Sequence, residues 1–199
     1  MFKNIFMSVI CLCLVAYSLY SYNDNKLLAL NSNQDVKVQF NENNSDNKKL
    51  SPIIKYKFNE PFVFIKKSEF KLYMVDANNN IISEYDCALG KNKGQKEQEG
   101  DMKTPEGVFF IDEIIDSSYW THDFKDGKGE IKGAYGPWFI SINTDKLSKG
   151  AWGGIGIHGT HDENSIGTLA SEGCIRLKNE DISLLKNFSK INMKVVIEN

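Results

Sequence analysis

Phe62–Lys66 (FVFIK), Glu69–Val75 (EFKLYMV) and Ile81–Cys87 (IISEYDC) follow one another between short polar breaks, and their pattern shifts towards a period of two. Alternation of that kind places successive side chains on opposite faces of an extended chain, so the three segments read as strands. Asp76–Asn80 (DANNN) reads as the turn before the third, because Asn and Asp tolerate left-handed backbone and bond their own main chain. Gly107–Ile115 (GVFFIDEII), Pro137–Ile142 (PWFISI), Gly154–His158 (GIGIH) and Lys194–Ile197 (KVVI) supply further strand candidates. One segment reads clearly as helix: Asn179 is placed to cap, Glu180 and Asp181 suit the positive end, and Ile182, Leu185 and Phe188 recur on one face. The expected fold is therefore mainly β, a sandwich or barrel-like pair of sheets with one or two short helices.

Upstream of that domain the composition changes twice. Lys3 precedes an uncharged, mostly apolar run from Ile5 to Tyr20 that ends near the small-x-small triplet Ala16-Tyr17-Ser18. Residues 1–20 read as a secretory signal peptide or an uncleaved membrane anchor, and both place the rest of the protein outside the cytoplasm. Residues 21–54 are crowded with Asn, Asp, Ser and Lys and read as a flexible linker, with one short strand candidate at Asp35–Phe40. Residues 55–199 remain as one domain of catalytic size, expected to be a monomer. A formal net charge of -2 and a pI near 6.0 exert no pull on nucleic acid.

Cys11 and Cys13 lie inside the apolar run without the flanking residues of a lipid-attachment site, which leaves Cys87 and Cys174 for the exported part. A domain of this size needs no disulfide, so both are read as free thiols with one of them reactive. Cys174 is the candidate nucleophile. An ordinary thiol, with a pKa of about 8.5, needs a base or cation beside it to react as thiolate. His158, 16 positions upstream at the end of a strand, is the candidate base. Gly173 permits close approach of substrate, and the N–H groups of Gly173 and Cys174 are candidates for receiving an oxyanion. Arg176 shares the face of Cys174 if the segment is extended, there to bind a substrate carboxylate or to tie down the loop. Ser171 has either a loop-bonding or a simple turn role. The long segment from Ser117 to Gly136 reads as a flap or as a surface excursion, with Tyr119, Trp120, Tyr135 and nearby Trp138 available to a glycan or peptide. His122 within it is expected to be exposed and uninvolved.

His158-Gly159-Thr160 followed by Ser171-Glu172-Gly173-Cys174-Ile175-Arg176, with Thr104-Pro105-Glu106-Gly107-Val108-Phe109 upstream, resembles the L,D-transpeptidases of the YkuD type. The resemblance runs loosely from about Phe62 to the C-terminus. It implies a catalytic domain over residues 55–199 with two mixed β-sheets and a Cys loop and His strand lining one groove under a flap. It also implies a transferase of peptidoglycan biosynthesis and cell-wall organisation that acylates Cys174 with a stem peptide, passes the acyl group to an amine in a 3→3 cross-link, and accepts carbapenems. The second nitrogen of His158 would be held by a backbone carbonyl, for which Gly159 is the nominated residue. Thr160 and Trp138 join Ser171 and Arg176 as substrate-binding or loop-supporting candidates. Many members have a second His where this chain has Glu172, and His161 matches no family role.

Rival readings are an L,D-carboxypeptidase that hands the acyl group to water, a non-catalytic wall-binding module, and a metal site at His158, His161, Asp162 and Cys174. The last has only one of the tightly spaced ligand pairs that a structural zinc site usually combines. The resemblance calls for no cofactor and no metal.

Overall fold

The computed structural model describes residues 56–199; the apolar segment, the Asn-rich linker and the strand candidate Asp35–Phe40 lie outside the described residues. β1 (Phe62–Lys66), β2 (Lys71–Val75) and β3 (Ile81–Asp86) form an antiparallel meander. Asp76 Oδ1 accepts the N–H groups of Asn78 and Asn80, each at 2.8 Å, and Asn79 adopts a φ of 64°, which closes the turn before β3. Then come β4 (Leu89–Gly90), β5 (Gly107–Asp116), β6 (Thr121–Asp123), β7 (Glu130–Lys132), β8 (Trp138–Asn143), the one-turn helix α1 (Asp145–Ser148) and β9 (Gly156–His158). β10 (Leu169–Ser171), β11 (Ile175–Arg176), α2 (Asn179–Phe188) and β12 (Lys194–Glu198) complete the chain.

The domain is mainly β, built on a curled mixed sheet of order β11-β9-β8-β5-β12-β1-β2-β3, with β4–β10 and β6–β7 as separate pairs. The packed layers expected from the sequence come from one continuous ladder curling on itself. β3 and β11 end the strand order, yet Ala88, two residues past β3, exchanges both backbone hydrogen bonds with Arg176 at 2.9 Å. An irregular register between Ile111 and Glu113 in β5 helps the bend.

β1 is covered on both faces. Val63 and Ile65 belong to the interior cluster, whereas Phe62 and Phe64 join Tyr73, Val75 and Val196 on the outer face. That double burial is why FVFI is an unbroken apolar run, while β3 alternates half-buried and exposed residues. Ile157, fully buried in β9 between β8 and β11, anchors the strand that carries His158. Truncating such a residue to alanine costs about 2–5 kcal/mol.

Candidate active site

β9 and β11 run parallel, with Ile157 paired to Ile175 and His158 to Arg176. That register sets the end of the His strand beside the Cys174 loop. Gly156 allows β8 to come close, since a Cβ there would collide with the Phe139 ring and with Ile140 O. Phe139 stacks on the His158 ring at 5.5 Å and 13°, and Tyr135 leans against it at 4.9 Å.

His158 is 2% exposed, and its Nδ1 lies 2.6 Å from Gly159 O. A carbonyl only accepts, so Nδ1 carries the hydrogen and Nε2 keeps its lone pair. Burial pushes the imidazole down to about 3, helped by the Arg176 charge and opposed by the bond to Gly159. The ring is neutral at physiological pH, with a lone pair on Nε2.

Asn179 was expected to cap α2, but its side chain caps nothing. Its Oδ1 accepts the Thr160 N–H and its Nδ2 donates to Thr160 O, both at 3.0 Å. The amide thereby clamps the backbone just after His158. Helix α2 receives Glu163 instead, whose carboxylate accepts the Asn179 N–H at 3.0 Å. Thr160, buried, accepts the Asp162 N–H on Oγ1 at 3.1 Å, which gives it a loop-shaping position.

The Cys174 loop is wound around Ser171. Its Oγ accepts the Gly173 N–H at 3.1 Å and donates to Cys174 O at 2.5 Å. Gly173 sits at φ 138°, and a Cβ there would meet Lys103 O at 2.9 Å. One expectation changes: the Gly173 amide is committed to Ser171, so of the two candidate oxyanion donors the Cys174 N–H remains, without an acceptor among the described residues. Gly173→Ala is expected to leave the fold intact but lower turnover at least about tenfold, because a displacement near 1 Å at a reacting atom is that costly; melting temperature and kcat/KM measured together check it.

The Cys174 thiol donates to Gly154 O at 3.4 Å. Burial pushes its pKa up, while a hydrogen bond from Gly156 and the charge of Arg176 pull the other way. The resting pair is thus thiol and neutral imidazole. Cys87 is a free thiol too, but it is fully buried in the interior cluster and its pKa is pushed up to about 12 by burial. It is inert packing.

Cys174 opens onto a groove of about 730 Å³ between the loop after β4 and the segment 117–136. Lys96, Met102 and Trp152 line one side, Trp120 and Tyr135 the other. Nothing in the sequence marked the first side. Lys67 holds that loop from below, its Nζ donating to Gly94 O, Thr104 O and Glu106 at 2.7–2.9 Å, and Lys96 is paired with Asp101 at 2.7 Å.

Segment 117–136 is a hairpin of β6 and β7 lying over the site. His122 is not a bystander: its Nε2 lies 3.3 Å from Glu172 and its Nδ1 3.1 Å from the Tyr135 hydroxyl. Glu172 thus faces a His from the hairpin. Phe124 of the same hairpin lies over the Arg176 guanidinium at 5.0 Å and against His161 at 5.3 Å. Trp138, a candidate for substrate contact, turns away instead and lies under Lys186 of α2 at 4.6 Å, because its neighbour Phe139 takes the face towards His158. Tyr119 is 68% exposed and outside the groove. Among the described residues no group of three His, Cys, Asp or Glu side chains is arranged to hold a metal ion.

The pairing of β9 with β11 sets the Cys174 loop beside the strand that ends on His158, and Cys174 opens onto one groove of a curled β domain. The family model of the L,D-transpeptidase catalytic domain, YkuD, matches residues 60–197, and the chain belongs to that family. It is similar to two Bacillus subtilis (strain 168) proteins whose names assign them to the L,D-transpeptidases. YqjB is 30% identical over 139 residues, 69% of this chain and 71% of that protein; YkuD is 29% identical over 127 residues, 64% and 60%. In fold it is similar to L,D-transpeptidase 3 of Mycobacterium tuberculosis, solved with a faropenem-derived adduct, at a TM-score of 0.52, 14% identity and 70% coverage of this chain. An L,D-transpeptidase from Mycobacterium smegmatis gives 0.51, 16% and 70%. The chain spans 60% and 59% of those two structures.

Proposed function

We propose that this chain is a cysteine-dependent L,D-transpeptidase that forms 3→3 cross-links between peptidoglycan stems outside the cytoplasm. The observation that carries this reading is the hydrogen bond from His158 Nδ1 to Gly159 O, which leaves the lone pair on Nε2 to serve as the base on the strand paired with β11. As the Cys174 sulfur attacks the carbonyl carbon of the third residue of a tetrapeptide stem, His158 Nε2 takes the thiol proton. The oxyanion that forms is received by the Cys174 N–H. Collapse breaks the peptide bond, His158 returns the proton to the leaving nitrogen, and D-alanine departs from a thioester. An amine of a second stem then attacks the thioester, His158 takes its proton, and the thiol is restored.

Starting from an uncharged pair suits a buried site, since no charge is stored there before substrate arrives. Water in place of the amine gives L,D-carboxypeptidase activity from the same thioester. Incubation of the full chain with a disaccharide tetrapeptide is expected to yield dimers lacking one D-alanine, with trimmed tripeptides as the minor product, by mass spectrometry. Failure of the wild-type protein to release D-alanine from any tetrapeptide stem would overturn the reading.

A further inference from the structure

Three cations are buried among the described residues: Lys67 at 8% exposure, Lys96 at 4% and Arg176 at 6%. Lys67 has three oxygen acceptors and Lys96 has two, Asp101 and Gln98 O. Arg176 differs. Its Nε is buried without a hydrogen-bond partner, and Cys174, Glu172 and Asp162 act on its charge through space rather than through a hydrogen bond. The Phe124 ring attracts the charge of the guanidinium but offers its N–H groups no carbonyl or carboxylate oxygen. A buried guanidinium left like this is costly unless an anion completes it.

Its position says which anion. Arg176 follows Cys174 by two residues, its charge acts on the Cys174 sulfur, and its backbone is paired with His158. In the transpeptidase reading, on which this inference rests, the carboxylate ending a tetrapeptide donor lies three bonds beyond the carbonyl carbon under attack. Its receptor must therefore stand about one residue's length from the sulfur. A long side chain that begins two residues from the nucleophile, on the strand paired with His158, meets that requirement.

We propose that Arg176 is the receptor for the terminal carboxylate of the donor stem, bound in the plane of the guanidinium with Phe124 of the hairpin as its cover. The pairing completes a buried cation as it aligns the scissile bond over Cys174. It also sets donor length: a pentapeptide carries its carboxylate one residue too far.

The test compares a tetrapeptide with a free C-terminal carboxylate and the same peptide as its C-terminal carboxamide, following release of D-alanine or D-alaninamide. The wild-type full chain is expected to prefer the acid by about 10- to 100-fold in kcat/KM, the range of a charge-assisted hydrogen bond. R176Q is expected to bring the two peptides to within about threefold, chiefly by slowing the acid, and R176K to restore part of the preference. Equal use of both peptides by the wild type overturns the carboxylate site without any variant having to fold. So does an R176Q protein that slows both by the same factor. A wild type inert towards both peptides instead overturns the transpeptidase reading itself.

Discussion

Cys174→Ala is expected to abolish release of D-alanine from tetrapeptide stems, by a factor on the order of 10⁴ or more, because covalent capture has no substitute in the groove. Its melting temperature is expected to stay within a few degrees of wild type. The Cys174 side chain is only half-buried, and its polar contacts are the weak bonds to Gly154 O and from Gly156. Cys87→Ala should behave in the opposite way. That residue is fully buried in the interior cluster, so its loss lowers stability by about 1 kcal/mol or more and leaves turnover per folded molecule unaltered. Thermal melts and kcat/KM measured on both variants separate the two thiols.

Replacing His158 by alanine is expected to lower kcat by about 10²–10⁴, the usual contribution of a positioned base. Its pH behaviour is more telling. Burial holds the His158 imidazole down to about 3 and pushes the Cys174 thiol up, so between pH 5 and 8 the pair is neutral. The thiolate fraction then grows with every step up in pH, and the rate of Cys174 alkylation by iodoacetamide should climb about tenfold per unit across this window. A thiolate–imidazolium pair would give a plateau there. Stability should move in the same direction. The folded pKa of His158 lies below its unfolded value of about 6.5, so the unfolded chain binds more protons between those values, and stability falls as pH drops through the window. Urea melts at pH 4 and 7 on wild type and His158→Gln should show a smaller difference in the variant.

The strands that could be read directly were those of five residues or more: β3 alternates as read, whereas β1, also read as a period-two segment, is an apolar run buried on both faces. β4, β6, β7, β10 and β11 have two or three residues each, too few for any period to show, and tertiary contacts hold them. Cys174 stood out because its thiol occurs in a polar, Gly-flanked setting with His158 upstream, whereas Gly159 was named only through the resemblance to the family. Asn179 misled for a physical reason. An Asn before acidic residues suits a cap, but its amide matches the backbone of Thr160, brought alongside only by the fold. Lys67 and Lys96 look like solvated lysines, and nothing short-range announces that Lys67 meets Glu106 across 39 residues. His122 was passed over similarly, its partner Glu172 lying 50 residues away.

The central claim, a nucleophilic sulfur at Cys174, is tested most directly by intact-mass measurement of the full chain before and after exposure to a carbapenem, with Cys174→Ala in parallel. The wild type should gain one drug-derived adduct, located by digestion to the peptide spanning residues 150–176, and the variant should gain none. A variant that takes up the same mass, or a wild-type adduct on any other peptide, would contradict the account.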